Sequence, residues 1–268
     1  MVKPSVIIIC IIIIIGIAGL YGAFSYLNTT NTTHNISSKD GVTYRIALDD
    51  ANFPPLVVYD EDGEPTGFDI DLILWIGKKM GFNVKLVQIP WDDIFTALSN
   101  QEVDMIIGGI SITPERLKHF LFSDPYLSIS QSIAVGEKSS MFLDDFYAGH
   151  GIIGVEGGTT SDDLITELLV DTGILPEEKL IRYVEIEMGA QDLASGKIQF
   201  LLSDWPVMVS LVQRFPIHII GNIDTGEKYG FVFHKDNRDL QNIINQGLEE
   251  LTRSYDWDTM KHKYLLDY

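Results

Sequence analysis

Short strand-like segments alternate with helix-like segments along most of this chain, and the alternation begins again in the second half. Residues 44–48 have the alternating pattern of a strand, and Phe68–Met80 has the apolar period of a helix that ends at Gly81. Residues 151–155 restart the pattern as a strand, followed by a helix over residues 160–170. Strands and helices at this spacing predict an α/β fold with mostly parallel sheets, and 268 residues suffice for two lobes.

The N-terminal segment determines where the folded part is expected. Residues 6–24 form an uncharged, isoleucine-rich run about as long as a helix that spans a bilayer. Lys3 precedes this run and the next lysine or arginine is Lys39, so the positive-inside rule places the rest of the chain outside the cytoplasm. Residues 1–27 are therefore predicted to be a transmembrane anchor, with cleavage as a signal peptide near Ala23 as the alternative.

A polar stalk is predicted over residues 28–41. This stretch has no apolar period and contains Asn-x-Ser/Thr sequons at Asn28, Asn31 and Asn35. Such a cluster fits an exported, glycosylated linker, and it fits equally well a linker in which asparagine and threonine are simply common residues.

Composition and motif content exclude several classes of function. A formal net charge of −19 excludes nucleic-acid binding and docking on anionic lipid, because nothing would neutralise the phosphates. The single cysteine, Cys10, lies in the apolar run, so the folded part has no thiol nucleophile or thiolate metal site. The histidines lack paired metal-ligand spacing, and the sequence contains neither a nucleophile elbow nor a phosphate-binding lysine loop. The sequence therefore predicts no metal, no cofactor and no catalytic group.

Two turns rich in glycine and hydroxyl side chains follow predicted strands. One is residues 108–111 (Gly-Gly-Ile-Ser) and the other is residues 157–160 (Gly-Gly-Thr-Thr). In open α/β sheets, ligands bind beyond the C-terminal ends of the strands. Both turns are therefore expected to face a small ligand.

An ordered series of motifs after Thr43 carries a family resemblance. The series comprises residues 50–55 (DANFPP), 67–72 (GFDIDL), Trp91, 103–107 (VDMII), 111–116 (SITPER), 122–126 (FSDPY), 154–160 (GVEGGTT), 193–197 (LASGK), 203–204 (SD) and 229–231 (YGF). In order and spacing, the chain resembles the polar-amino-acid family of periplasmic solute-binding proteins, also called bacterial solute-binding protein family 3. These proteins are the receptors of ABC importers.

The resemblance implies a two-lobed periplasmic-binding-protein (Venus-flytrap) fold. Each lobe would be a mostly parallel sheet flanked by helices, and two crossover strands would join the lobes. Lobe 1 would comprise residues 42–130 and 223–268, and lobe 2 would comprise residues 131–222. The crossover strands are expected near residues 127–132 and 219–223.

The resemblance also implies a function without chemistry. The protein would be a monomeric, membrane-anchored, extracytoplasmic receptor that closes its two lobes around a free polar amino acid. It would deliver this ligand to an ABC permease and its ATPase.

Residues from both lobes align with the family positions that bind the backbone of the ligand. Arg116 aligns with the carboxylate-binding arginine, and a planar guanidinium matches a carboxylate with two parallel hydrogen bonds. Asp204 aligns with the ammonium-binding carboxylate, with the carbonyl of Gly109 as a further acceptor. The other role open to Asp204 is that of a helix N-cap, which is compatible with ammonium binding.

Further hydrogen bonds to the ligand carboxylate are expected from small hydroxyl residues. The candidates are Ser111 and the turn formed by Thr159, Thr160 and Ser161. The alternative for this group is ordinary helix capping.

Aromatic and acidic residues align with positions around the ligand side chain. Phe53 and Trp91 would be its aromatic walls, although Trp91 could instead belong to the core. Glu156 departs from the apolar, amide or basic residue that relatives often carry, and Asp50 occupies a position that can face the ligand side chain. These two acids would favour a cationic ligand such as arginine, lysine, ornithine or histidine, unless Glu156 points to solvent.

Two other functions remain open at this point. A few relatives of this fold are cyclohexadienyl dehydratases, and Glu156 would be the candidate general acid. Asp204 argues against that activity, because a prephenate-like substrate has no ammonium to bind. The same lobes also serve as sensory ectodomains, but the sequence ends at Tyr268 without a second predicted span, so signalling would need a separate partner.

Overall fold

The structure is a computed structural model that describes residues 41–266. The predicted anchor over residues 1–27 and the predicted stalk up to residue 40 lie outside the described residues. Between residues 41 and 266, no helix has both the length and the apolar character that crossing a bilayer requires.

Strands and helices alternate along the described chain. The strands are β1 (Thr43–Asp49), β2 (Val58–Tyr59), β3 (Pro65–Thr66), β4 (Asn83–Ile89), β5 (Met105–Ile106), β6 (Leu121–Phe122), β7 (Leu127–Ser128), β8 (Gln131–Gly136), β9 (Ile153–Glu156), β10 (Leu180–Tyr183), β11 (Phe200–Asp204), β12 (Ile217–Ile223), β13 (Lys228–Tyr229) and β14 (Val232–Phe233). The helices are α1 (Phe68–Met80), α2 (Trp91–Ser99), α3 (Pro114–His119), α4 (Leu143–Tyr147), α5 (Thr160–Ile165), α6 (Ile186–Ser195), α7 (Trp205–Val212), α8 (Arg238–Thr252) and α9 (Tyr255–Lys263). The helix predicted over residues 160–170 is α-helical as far as Ile165 and continues as a π-helical turn over Thr166–Val170.

The larger strands of residues 41–266 form two five-stranded sheets. The first has the order β4-β1-β5-β14-β6, and the second has the order β10-β9-β11-β8-β12. Strands joined through helices pair in parallel, whereas β14 in the first sheet and β8 and β12 in the second pair antiparallel with their neighbours. In each sheet four of the five strands run in the same direction and one strand, β14 or β8, runs against them, so the prediction of mostly parallel sheets is confirmed except for these two strands. A strand that arrives from the other sheet has no crossover helix to bring it back in the parallel direction.

Two neighbouring chain passages connect the sheets. The chain leaves the first sheet after β6, enters the second at β8, and returns after β12. The passages lie side by side, because β7 pairs with β13 and β8 pairs with β12. The crossover predicted near residues 127–132 overlaps the first passage. The one predicted near residues 219–223 lies inside β12, so the return passage begins after Ile223.

Each sheet carries its own apolar core on both faces. In the first sheet, α1, α8 and α9 pack on one face and α2 packs on the other. The second sheet is enclosed in the same way by two further apolar clusters. The ring of Phe53 packs against the core of the first sheet and against that of the second. This ring is a direct apolar contact between the two lobes.

The start of α1 is set by a glycine. Gly67 has a φ of +131°, and a Cβ atom there would lie 2.2 Å from the carbonyl oxygen of Leu56. The close approach lets the first turn of α1 lie behind the turn that follows β5. Asp69 of that first turn accepts hydrogen bonds from the N–H groups of Gly108 and Gly109.

Candidate functional site

A cavity lies between the two sheets, at the C-terminal ends of β1, β5, β9 and β11, where ligands of α/β proteins commonly bind. It is lined by Asp49, Phe53, Trp91, Ile94, Ile107, Gly108, Gly109, Ile110, Ser111, Arg116, Glu156, Thr159, Thr160 and Asp204. The predicted contact residues are brought together here, with the exception of Asp50 and Ser161. Both sheets contribute, so a ligand in this cavity would touch both lobes.

Arg116 lies at one end of the cavity and is held from several sides. The side chain of Thr113 caps α3 by accepting the N–H of Arg116 at 3.1 Å. The guanidinium carbon lies 5.6 Å from the ring centre of Trp91 and 5.2 Å from that of Phe95. Its Nη1 donates to the carbonyl of Ser111 at 2.9 Å. These contacts fix the direction of the guanidinium fork.

The charge of Arg116 has no ion-pair partner among residues 41–266. Burial lowers the pKa of Arg116, and the more distant charges of Asp163, Asp204 and Glu227 act in the opposite direction. An arginine remains protonated in either case. A fixed, half-buried guanidinium without an ion-pair partner is suited to binding a carboxylate.

The hydroxyl groups predicted to bind the ligand carboxylate lie around this end. Ser111 is buried and its Oγ donates to Glu227 at 2.8 Å. The Oγ1 of Thr159 donates to the carbonyl of Glu156 at 2.8 Å, so this side chain closes its own turn rather than capping α5. Thr160 follows at the first position of α5 and lines the cavity.

Asp204 ends β11 inside the cavity. Its side chain does not cap α7, which was the other role open to it. Instead, Oδ1 accepts from Gln131 at 2.5 Å and Oδ2 accepts from the hydroxyl of Tyr229. Burial, and next the charge of Glu227, raise the pKa of Asp204 to about 7, while the two hydrogen bonds and Arg116 oppose the rise. A buried carboxylate in this state would gain from an ammonium partner.

Gln131 organises the polar side chains behind Asp204. It is fully buried, and its Nε2 donates to Asp204 and, at 3.1 Å, to Glu227. Its Oε1 accepts from the hydroxyl of Ser161 at 2.6 Å. Ser161 does not line the cavity, and its hydroxyl orients Gln131 from behind the cavity wall.

Asp49, rather than Asp50, lines the cavity. Side chains alternate along a strand, so Asp49 shares the face of β1 on which Ala47 packs against the core beneath α2. Asp50 follows the end of β1, is exposed, and lines a neighbouring cleft with Asp92. The prediction named Asp50, which lines the neighbouring cleft, whereas Asp49 lines the cavity. Burial raises the pKa of Asp49 to about 6.

Glu156 ends β9 and points into the cavity instead of into solvent. It is buried, and its Oε2 has no hydrogen-bond partner within the described chain. Burial raises the pKa of Glu156 well above its usual value, and the charges of Asp49, Asp204 and Glu185 add to the rise. The acids do not form a metal site: residues 41–266 contain no group of three or more histidine, cysteine, aspartate or glutamate side chains arranged to hold one.

Aromatic side chains from the first sheet form two walls of the cavity. Phe53 and Trp91 both line it, and each also packs against a core. Trp91 is therefore both part of the cavity wall and packed against the core, and its contact with a ligand stays a prediction. A Cβ atom on Gly158 would lie 3.3 Å from the indole nitrogen of Trp91, so this turn of the second lobe closes against the first.

Sequence reasoning missed three polar residues of this region. Asp49 was missed because its neighbour Asp50 was chosen. Gln131 and Glu227 carry no local signal, since each lies on a passage between the sheets and acts through contacts far away in sequence. The one indication available in the sequence was that Glu227 lies two residues before Tyr229, the first residue of the YGF motif (residues 229–231).

Replacing Asp204 by asparagine should stabilise the ligand-free protein, increasingly so as the pH rises. In the folded protein Asp204 keeps its proton up to a pKa of about 7, whereas in the unfolded chain it ionises near 3.8. The unfolded state binds fewer protons between these values, so this group lowers the free energy of unfolding as the pH rises from about 4 to about 7. Asparagine does not ionise. Thermal unfolding of ligand-stripped protein from pH 4.5 to pH 7.5 measures the difference between variant and wild type.

Glu61→Gln is the control for this comparison, because Glu61 is an exposed acid in a turn. Its difference from wild type should stay constant over the same range. A difference between Asp204→Asn and wild type that is equally independent of pH would contradict the buried, protonated state of Asp204.

Comparison with known proteins places the chain in a family. Residues 44–267 match the model of the bacterial extracellular solute-binding proteins, family 3. A probable histidine-binding protein of Neisseria gonorrhoeae is 28% identical over 232 residues, which is 85% of each chain. An ancestral arginine-binding protein bound to arginine is 32% identical, with a TM-score of 0.75 and coverage of 83% of this chain and 97% of that one. An ancestral amino acid-binding protein, a precursor of cyclohexadienyl dehydratase, is 29% identical with a TM-score of 0.75, covering 83% and 95%. The chain belongs to family 3 of the bacterial extracellular solute-binding proteins.

Proposed function

We propose that this protein is the extracytoplasmic substrate-binding component of an ABC amino-acid importer, and that its ligand is a free cationic amino acid. The observation that carries the proposal is one buried cavity with an unpaired guanidinium, Arg116, at one wall and a buried carboxylate, Asp204, at another. The two side chains come from different sheets. They are complementary to the two charges of an amino-acid backbone.

Each end of the backbone finds suitable partners. The ligand carboxylate would take the free N–H groups of Arg116, with Ser111 and Thr160 beside it. The α-ammonium would meet Asp204 and the carbonyl of Gly109. A ligand bound in this way replaces the missing charge partner of both groups, and it joins the two lobes.

The remaining acids favour a positive side chain. Asp49 and Glu156 line the cavity, and Oε2 of Glu156 is buried without a partner. A cation placed between them would relieve the cost of ionising both carboxyls. The names of the relatives, a probable histidine-binding protein and an arginine-binding protein, agree with this ligand class.

Ligand capture in this proposal requires the lobes to separate and close. Asp204 and Glu156 are buried, so a ligand reaches them only when the walls move apart. Residues 42–130 and 223–268 would move as one lobe and residues 131–222 as the other. The two neighbouring passages between the sheets, which pair through β7 and β13, are the short connection about which the lobes would rotate.

The cellular setting is part of the same proposal. A receptor of this kind acts outside the cytoplasm, where it presents its ligand to an ABC permease and its ATPase. The apolar run over residues 6–24 would tether it to the membrane or direct its export.

Free amino acids of the cationic class should raise the melting temperature of the protein. At a ligand concentration of about 100 times the dissociation constant, binding adds about 2.7 kcal/mol to the free energy of unfolding. The full chain is stripped of bound ligand by unfolding and refolding, and thermal melts are recorded with each of the twenty amino acids and ornithine.

Arg116→Lys is the discriminating variant for this screen. Lysine keeps the charge but not the planar fork, so the dissociation constant should rise by about 10 to 100 times. Lys118→Ala, a change of an exposed cation two residues away, is the control and should bind as wild type does. The absence of a shift with every amino acid would refute the proposal.

The choice between cationic and neutral ligands should depend on Glu156 and Asp49. Glu156→Gln and Asp49→Asn keep the size of each side chain but remove its charge, so binding of L-arginine and L-lysine should weaken by about 10 times or more. Binding of L-glutamine should stay the same or improve. Titration calorimetry with the three ligands gives the ratios.

Asp50→Asn is the matched control, because Asp50 is the next residue and lines only the neighbouring cleft. It should change the dissociation constant for L-arginine by less than about three times. If Asp50→Asn weakened binding as much as Asp49→Asn, general electrostatic attraction would replace the direct contact as the explanation.

A dehydratase activity is the second candidate, and one observation favours it. Burial raises the pKa of Glu156 well above its usual value, and this direction favours the protonated form that a general acid needs. Asp204 opposes this candidate, since a prephenate-like substrate offers no ammonium to it. Incubation with prephenate and arogenate distinguishes the two functions, because an enzyme forms the aromatic product faster than a protein-free blank does.

A further inference from the structure

Asp69 is a fully buried acid that lies outside the cavity and has an unusual set of partners. Its Oδ2 accepts three hydrogen bonds, from the N–H of Gly108 at 2.8 Å, from the N–H of Gly109 at 2.9 Å and from the hydroxyl of Tyr126 at 2.7 Å. Its Oδ1 is buried and has no partner within residues 41–266. Burying a carboxyl group with one unpaired oxygen costs free energy, so we expect Asp69 to have a specific role.

Capping of α1 does not account for Asp69. The N-cap of α1 is Gly67, and no side chain caps this end. The carboxylate of Asp69 turns away from its own helix and reaches the turn after β5. Burial raises the pKa of Asp69 to about 6, while its three hydrogen bonds oppose the rise, so the group is ionised at neutral pH. Three donors on a charged oxygen form strong hydrogen bonds.

The turn that Asp69 holds is part of the cavity wall. Gly108 and Gly109 both line the cavity and have φ values of +115° and +73°. A Cβ atom on Gly109 would lie 2.4 Å from the side chain of Leu56, so the backbone is closely packed there. In a planar trans peptide, the carbonyl points opposite to the following N–H. The N–H of Gly109 points to Asp69, so the carbonyl of Gly108 points away from it.

The hydroxyl of Tyr126 links the same carboxylate to the connection between the lobes. Tyr126 immediately precedes β7, on the first passage between the sheets. Its ring packs against Tyr229 of the return passage, with 6.2 Å between ring centres, and Tyr229 in turn donates to Asp204. The turn at Gly108–Gly109 and the ammonium-binding carboxylate are thus attached to one buried framework.

We infer that Asp69 is a positioning residue for ligand binding, which fixes the turn at Gly108 and Gly109 so that the carbonyl of Gly108 faces the α-ammonium of the ligand. By taking both N–H groups, Asp69 also removes two donors that would repel a cation. This inference rests on the proposed function, because it presumes an amino-acid ligand in the cavity.

The test compares the dissociation constant for L-arginine in the wild-type full chain and in Asp69→Asn. Asparagine keeps the size and one acceptor but loses the charge, so the turn should be held less firmly and binding should weaken about tenfold. Titration well below the melting temperature measures affinity in the folded state, which a purely stabilising residue would not change. Hydrogen exchange should show faster exchange at Gly108 and Gly109, with β1 protected as in the wild type.

Ser123→Ala is the matched control, because Ser123 is also buried and accepts the N–H of Phe231 away from the cavity. It should lower the melting temperature and leave the dissociation constant unchanged. If Asp69→Asn does not fold, Tyr126→Phe takes its place, and about threefold weaker binding is expected. An unchanged dissociation constant in the folded variant overturns the inference.

The two proposals fail in different ways in this experiment. If wild-type protein binds neither L-arginine nor any other free amino acid, the proposed function is at fault. If wild-type protein binds L-arginine and the variant binds it equally well, the role of Asp69 alone is refuted.

Discussion

Buried negative charge is the constraint on which the rest of this structure depends. Asp49, Glu156 and Asp204 line one cavity, and among residues 41–266 Arg116 is the one cation that lines it with them. Burial penalises the ionised form of each carboxyl and raises its pKa, most of all where acids face one another. An amino acid with a positive side chain supplies cations at both acidic positions. The same buried acids therefore destabilise the ligand-free cavity and contribute to the affinity for the ligand.

Polar side chains behind the cavity hold those charges in place. Gln131 uses both ends of its amide, joining Ser161 to Asp204 and Glu227. Asp69 does the same for the turn after β5. Such supporting contacts reduce the freedom that a ligand would otherwise have to remove on binding. Each lobe thus presents its half of the site in a nearly fixed form, and closure brings the halves together.

The sequence predicts the features that depend on local patterns and on ordered motifs. The two-lobed α/β fold and the residues Phe53, Trp91, Arg116, Glu156 and Asp204 of the cavity wall could be identified in this way. The reversed directions of β8 and β14 could not, because each of these two strands follows a passage from the other sheet rather than a crossover helix.

The sequence alone does not show which of two adjacent residues at the end of β1 faces the cavity. This limited the prediction of the residues around the ligand side chain. Asp49 and Asp50 are adjacent acids, and only the alternation of β1, fixed by the packing of Ala47, decides which one faces the cavity. The role of Gln131 was unpredictable for another reason. Its partners are up to 96 positions away along the chain, so its contacts exist only in the folded protein.

Closure of the lobes follows from a balance between apolar contact and charge. Phe53 packs on the cores of both lobes, and this contact favours the closed arrangement with or without a ligand. The unpaired guanidinium of Arg116 and the unpaired carboxyl oxygen of Glu156 oppose closure, because closing removes both polar groups from water. A ligand shifts this equilibrium only by what it binds better in the closed state than in the open one. An amino acid with a cationic side chain pairs with Arg116, Asp204 and Glu156 at the same time. It therefore offsets the cost of removing these groups from water, and the apolar contact of Phe53 then keeps the lobes closed.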